Sequence, residues 1–318
     1  MAISRLFRKF KILQYLGAIL FLFSLLKLYP SIKNRLIGQG LDANRTYMLT
    51  VNHDSGRLGN KMFKYASLLG IAKREGRKPF VLPYTQDVDM ESVFNLTFVA
   101  HHTQFNIGSW EEIEETEYAY EDPIFRNLPK TDIKLWGYLQ SWKYFHSIEH
   151  VLRREFTFTP VYKSEADGIL NDIREKHQNK DQIVFVGVHV RRRDEHSTKI
   201  TCEAPKSFFT NAFQKMRSLL PGKTLIFIVS GNDLSWCERN LANNDTVVLQ
   251  PSSSAFHFAI LASCDHFVVS VGTFGWWAGW LTGGHVIYYK KFPLPLSYEA
   301  IGFHIDDYYP ASWISVDD

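Results

Sequence analysis

Val186-Gly-Val-His-Val-Arg-Arg-Arg-Asp194 is an apolar run that ends abruptly in three arginines. From Ile183 to Val190 the apolar residues scarcely alternate, the pattern of a strand buried on both faces of a parallel sheet. Open α/β sheets bind ligands beyond the carboxyl ends of their strands, where Arg191 and its neighbours fall. A guanidinium there stays charged at any physiological pH and grips phosphate oxygens with a planar fork, so a diphosphate is the ligand first expected. The alternative is that the arginines pair with nearby carboxylates such as Asp194 and Glu195.

The rest of the chain supplies the sheet. Further strands are expected at Tyr47–Val51, Phe80–Leu82, Thr224–Val229, Phe267–Val271 and His285–Tyr289. Helical spacing separates them: Met62, Phe63, Ala66, Leu69 and Ile71 before a capping Gly76; Phe209, Phe213, Met216 and Leu220 before Pro221-Gly222; and the segment 255–263. Strand–helix alternation predicts a doubly wound parallel sheet in the C-terminal half, with a βαβ unit in the N-terminal half. Phe158-Thr-Pro160 is the expected hinge, acidic Glu111–Glu121 a solvated loop or helix face, and Leu135–Phe145 aromatic core with one or two rings on a cleft.

The first thirty residues differ in kind. Arg5, Arg8, Lys9 and Lys11 precede an uncharged run from Ile12 to Leu26, with Lys27 beyond it. Snorkelling lysines lengthen that run toward a membrane span, and no small-residue cleavage site follows it. A signal-anchor with a cytoplasmic N-terminus is the expectation. A lumenal remainder fits the sequons at Asn44, Asn95 and Asn244. Cys202, Cys237 and Cys264 allow at most one internal disulfide and match no zinc spacing, so a buried structural role is expected for each. A net charge of +3 without basic blocks argues against nucleic acid as a partner.

Three loops fall at expected strand ends: Gly56–Asn60, His189–Asp194 and Gly272–Gly275. In the third, a glycine turn opens a helix whose N–H groups, with the Thr273 hydroxyl, suit a phosphate. Trp276, Trp277 and Trp280 behind it read mainly as core. No loop is a Walker motif or a full dinucleotide fingerprint, so neither ATP hydrolysis nor NAD chemistry follows.

Together Gly56-Arg-Leu-Gly-Asn60 with Met62-Phe63 and Tyr65-Ala66, Gly137-Tyr-Leu-Gln-Ser-Trp142, Val186–Arg192 with Asp194, Trp236-Cys237 and Gly272-Thr-Phe-Gly-Trp-Trp-Ala278 resemble the galactoside α-1,2-fucosyltransferase family of Golgi type II membrane enzymes, in order and spacing from about Tyr47 onward. The resemblance implies two Rossmann-like lobes in a GT-B-like arrangement after one transmembrane helix. Its boundaries are a tail at 1–11, anchor at 12–29, stem at 30–45, N-terminal lobe at 46–157 and C-terminal donor lobe at 158–318. It implies inverting, metal-independent transfer of L-fucose from GDP-fucose to the 2-hydroxyl of a terminal β-galactoside, with no cofactor; dimerisation is left open.

The resemblance also assigns roles. Arg191, Arg192 and Asp194 would act in catalysis, with Asn60, His189, His257, Thr273, Phe274 and Gly275 completing the donor contacts. Trp136, Tyr138 and Trp142 are the acceptor candidates, and the general base is open between Asp194, Glu195 and none. The sequence departs from the family pattern at Arg193, where a small residue is usual, and at Lys61 and Lys64, where glutamines are usual. It departs again at His257, where an aspartate that could accept two guanine N–H bonds is typical. Two other classes compete with this reading: a metal-dependent transferase using Asp87-Val-Asp89, and a catalytically silent nucleotide-sugar-binding or lectin-like protein.

Overall fold

Strand Ile183–Val190 forms over the expected residues and becomes the centre of a sheet because its inward and outward side chains are both apolar. The structure, a computed structural model, describes residues 45–52, 56–81, 90–99, 107–177, 182–192 and 202–318. The expected signal-anchor, Asn44, Arg193–Glu195 and Asp87-Val-Asp89 lie outside them. Among the described residues no helix is long and apolar enough to cross a membrane.

In chain order the main elements are β1 (Met48–Val51), α1 (Leu58–Arg74), β2 (Lys78–Pro79), β3 (Glu111–Glu114) and β4 (Ile133–Trp136). These are followed by α2 (Pro160–Lys176), β5 (Ile183–Val190), α3 (Lys206–Leu219), β6 (Thr224–Gly231), α4 (Leu234–Leu241) and β7 (Thr246–Val248). The chain closes with α5 (Ser254–Ala262), β8 (His266–Val269), α6 (Thr273–Thr282), β9 (Val286–Tyr289) and β10 (Ile314–Val316). Two all-parallel sheets result, ordered β2-β1-β4-β3 and β10-β9-β8-β5-β6-β7, within one compact unit from Tyr47 to Asp318.

In the second sheet the direction of winding reverses once, between β5 and β8, while in the first the chain reverses direction at β2 and again at β3, so that β1 and β4 pair side by side. The crevice at such a reversal is where open α/β sheets take their ligands. Here α1 places the β5–β8 crevice against the carboxyl ends of β1 and β4. All of α1 except Asn60, Lys73 and Arg74 is buried, so it is a core helix shared by both sheets rather than an amphipathic surface helix. Phe63 on α1 packs on Trp276 and Trp277 of α6 with ring centroids 4.6 and 5.1 Å apart, and Phe145 stacks on Trp277 at 5.3 Å. The tryptophans expected as core are core.

Several expectations need correction. The acidic segment contains edge strand β3, in which only Ile113 is even half-buried. Exposed glutamates are tolerated on an edge, and their charge blocks further strand pairing. The strand expected at Phe80–Leu82 reduces to Lys78–Pro79 plus one bridge, Val81 to Val99. Pro160 starts α2 at a position where its missing N–H costs nothing, while Phe158 bridges to Phe94, so this segment is anchored at both ends. The three cysteines need no correction: all are buried free thiols, as expected of structural cysteines.

The two helices α1 and α6 approach closely at Gly59, where an added Cβ would sit 2.6 Å from the Thr273 carbonyl carbon. Gly59→Ala is therefore expected to lower stability by about 1–3 kcal/mol through overpacking. Gly168→Ala, in the exposed middle of α2 with open space around it, is expected to raise stability by about 0.5–1 kcal/mol. Denaturant melts of the two variants check both signs.

Candidate active site

The carboxyl ends of β1, β4, β5 and β8 surround a cleft of about 1550 Å³. The first sheet contributes Asn60, Gln140 and the segments around Glu115 and Tyr138; the second contributes Arg191, Arg192, Val271–Thr273 and the loop 292–302. Positive charge stands on the second wall at Arg191 and Arg192, and Glu114, Glu115 and Glu117 stand on the first.

Both arginines leave β5 with their backbone fixed. The Arg191 N–H donates to Ser270 Oγ at 2.9 Å, and the Arg192 N–H donates to Asn232 Oδ1 at 2.7 Å. Asn232 returns a bond from Nδ2 to the Arg192 carbonyl at 2.9 Å. The Arg192 guanidinium pairs with Glu203 at 2.8 Å, donates to the Ala204 carbonyl at 3.2 Å and lies 4.5 Å from the Trp236 ring centroid. A carboxylate, a carbonyl and a ring face thus preset its plane, the geometry an arginine needs for two-pronged phosphate binding. Pairing with a carboxylate, weighed above as the alternative to phosphate binding, does occur, but the partner is Glu203 and the guanidinium still lines the cleft.

Thr273 begins α6 next to the N-terminal end of α1. Gly272 takes φ +89°, a region closed to most side chains, and a Cβ there would meet open space. No side chain caps α6, so the N–H groups of Thr273, Phe274 and Gly275 at its positive end are left without helical acceptors. Thr273 Oγ1 and Gln140 Nε2 donate to Asn60 Oδ1 at 2.8 and 3.1 Å. That leaves the Asn60 amide N–H₂ as its donor end for an anion. Asn60, Thr273, Arg191 and Arg192, picked from three separate motifs, are brought to one cleft.

Other expected residues fall elsewhere. His189 is buried, and desolvation, aided by Arg191, pushes its pKa down to about 3, so the ring is neutral and cannot neutralise a phosphate. Its Nδ1 has no partner and would be 2.7 Å from a Cβ on Gly275, and its ring lies 4.9 Å from Phe274. Phe274 also packs on Phe258, so the side chains at 189 and 274 support α6 from beneath. His257 does not line the cleft: Nδ1 meets Ser230 Oγ at 2.7 Å and Nε2 meets the Gln250 carbonyl at 2.9 Å. Both ring nitrogens are committed, so the role of guanine acceptor expected for it is not available in this arrangement.

Of the acceptor candidates only Tyr138 lines the cleft. Trp136 packs against Lys134, whose Nζ is 4.3 Å from the ring centroid, and Trp142 donates to the Asp306 carbonyl at 3.0 Å. Asn95 and Asn244 are exposed, as sequon asparagines must be. Among the described residues no three His, Cys, Asp or Glu side chains form a metal-ligating group. The sequence reading missed Asn232, Glu203, Gln140 and Glu115; Asn232 follows β6, so the strand-end rule applied to every expected strand would have found it, whereas Glu115 follows β3, a strand the sequence pattern did not show.

The comparisons with known proteins agree with this geometry. The sequence model of Glycosyl transferase family 11 matches residues 20–317. Galactoside alpha-(1,2)-fucosyltransferase 2 of Oryctolagus cuniculus is 30% identical over 284 residues, 86% of this chain and 77% of that protein. Galactoside alpha-(1,2)-fucosyltransferase 1 of Homo sapiens is 30% identical over 76% of this chain and 68% of its own. The fold is shared with the NodZ alpha-1,6-fucosyltransferase soaked with GDP-fucose, at TM-score 0.51 and 13% identity over 78% of this chain and 96% of that one. It is also shared with a variant of Arabidopsis thaliana FUT1 in complex with GDP, at TM-score 0.50 and 17% identity over 82% and 74%. The α/β fold with two parallel sheets is thus the one seen in solved fucosyltransferases. Because the family match runs through every loop that closes the cleft, the chain is a glycosyltransferase and belongs to glycosyl transferase family 11.

Proposed function

We propose that the chain transfers L-fucose from GDP-fucose to the 2-hydroxyl of a terminal β-galactoside, with inversion at the anomeric carbon and without a metal. The observation that carries this is the Arg191–Arg192 pair at the β5–β8 reversal, facing a second sheet across one cleft in a family 11 chain. The names of its relatives, galactoside alpha-(1,2)-fucosyltransferases, supply donor sugar, acceptor and linkage.

The residues account for the chemistry. As the fucosyl–oxygen bond breaks, negative charge grows on the β-phosphate of GDP and positive charge on the sugar. Arg192, already oriented by Glu203 and Trp236, meets the growing negative charge, and the N–H groups opening α6 add their dipoles. The Asn60 amide reaches the same oxygens from the first sheet. Inversion follows if the acceptor hydroxyl attacks from the face opposite the leaving phosphate, which the two-walled cleft permits. The first sheet is the acceptor side and the second the donor side in this reading. Basic residues ahead of the apolar run 12–26 support a single-pass type II placement in the Golgi membrane, with residues 30–318 lumenal and Asn44, Asn95 and Asn244 open to glycosylation.

The test is incubation of the full chain with GDP-fucose, lactose and excess chelator, with product linkage read by NMR. An α-1,2-fucosylated product is expected. Folded protein that binds GDP-fucose but transfers nothing would overturn the enzymatic assignment in favour of a silent binder. In the same assay Arg192→Ala is expected to lower kcat/KM by about 10²–10³-fold, or about 2.7–4 kcal/mol of transition-state stabilisation. Arg192→Lys restores the charge but not the fork, so only part of that loss should return.

A further inference from the structure

Glu115 follows edge strand β3, and its N–H donates to the Trp136 carbonyl at 2.9 Å, so it continues the pairing of β3 with β4 by one residue. The turn after β4 is built around its carboxylate. Oε1 accepts the Tyr138 N–H at 2.7 Å and Oε2 accepts the Leu139 N–H at 2.9 Å. Gly137 adopts φ +128°, and a Cβ there would fall 2.3 Å from Glu115 Cδ; Leu139, which is not glycine, takes φ +53°. Two successive N–H groups are thus turned onto one carboxyl group at the cost of an unfavourable backbone conformation, a pattern that concentrates at functional sites.

The surrounding polar atoms point to a ligand. Gln140 is 3% exposed, spends Nε2 on Asn60 and leaves Oε1 without a partner. Across the cleft, buried Ser297 Oγ and Glu299 Oε2 also lack partners. Buried polar atoms left unpaired are costly, and three on the walls of one cleft suit a ligand rich in hydroxyls. Glu115 belongs to the first sheet, while Arg191 and Arg192 belong to the second. Glu203 already orients Arg192 on the donor wall, so Glu115 on the opposite wall is left for a second substrate.

We propose that Glu115 is the base of the transfer, with Gln140, Ser297 and Glu299 holding other hydroxyls of the acceptor sugar. The assignment rests on the function proposed above. The acceptor O–H bond breaks, its proton passes to a Glu115 carboxylate oxygen, and the acceptor oxygen bonds to the anomeric carbon. The bond from that carbon to the β-phosphate oxygen breaks, and its electron pair leaves on GDP toward Arg191 and Arg192.

The electrostatics support the role. Burial pushes the Glu115 carboxyl up to about 7, opposed by the two backbone N–H bonds; Asp122 raises it further and Lys64 lowers it. Tyr118, Tyr138 and Tyr144 are the other titratable groups around it, and burial pushes the Tyr118 and Tyr144 phenols up, which keeps them neutral. A base must be ionised to accept a proton, so turnover falls as pH drops through the pKa of Glu115.

The experiment measures kcat of the full chain between pH 5.5 and 8.5 with GDP-fucose and lactose, and GDP affinity by calorimetry, for wild type, Glu115→Gln and Glu115→Asp. Wild type is expected to lose activity on the acid side with unit slope. Glu115→Gln is expected to lose about 10²–10⁴-fold in kcat and the acid limb with it. Its Kd for GDP should stay within about twofold, since any larger change would show that the site itself had been disturbed. Glu115→Asp, a carboxylate drawn back from the sugar, should keep the limb at reduced kcat. Glu115→Gln turnover within about fivefold of wild type, or loss of GDP binding alongside turnover, overturns the base assignment. If that variant does not fold, a wild-type kcat flat from pH 5.5 to 8 overturns it. Wild type that transfers nothing to lactose or any other β-galactoside fails the proposed function instead, so the two failures are distinct.

Discussion

The close approach of α1 to the start of α6 is the constraint on which the site depends. Gly59 lets backbone meet backbone at Thr273, and the next residue, Asn60, accepts hydrogen bonds from both sheets through a single oxygen. Two positive helix ends are thereby brought together beside Arg191 and Arg192. Mutual repulsion of these ends is offset by the aromatic block behind them, in which Phe63, Phe145, Trp276 and Trp277 pack ring on ring. Such pairs contribute about 0.5–1.5 kcal/mol each beyond the area they bury. The anion site is therefore backed by apolar packing.

Charge in the cleft follows the division of labour between the sheets. Parallel strands send all their carboxyl ends the same way, so side chains gathered from distant parts of the chain share one rim. The second sheet holds guanidinium and helix N–H groups, which suit a leaving diphosphate. The first holds amides and the carboxylates of Glu114, Glu115 and Glu117, joined by Glu299 from the 292–302 loop, and these suit neutral hydroxyls. Arg192 is already paired with Glu203 before any ligand arrives, so its orientation is settled in advance and little ordering is left to binding.

Much of this was readable from the sequence because the decisive elements are local. β5 is apolar on both faces, α1 and α6 start after glycine-bearing loops, and Asn60, Arg191, Arg192 and Thr273 sit beside strand ends. β3 escaped because an edge strand needs only one inward residue, Ile113, and four glutamates around it read as solvated. β7 and β10, three residues each, carry too little pattern to register. Residue roles were legible only where position decides them. His257 sits one turn into α5, but whether it meets a ligand or Ser230 depends on β6, nearly thirty residues earlier in the chain. The same holds for Trp142, whose partner Asp306 comes from the far end of the sequence.

Because α1 is buried against both sheets, neither sheet owns its hydrophobic surface outright. Removing the second sheet would bare Phe63, and removing the first would bare Trp276 and Trp277. The halves are thus mutual chaperones of a single helix, an arrangement that couples the unfolding of one sheet to that of the other. The same sharing denies the cleft a wide hinge. The freest side chains around it stand on its rim, where Leu296 and Ile301 are exposed, while the aromatic floor is packed from both sides.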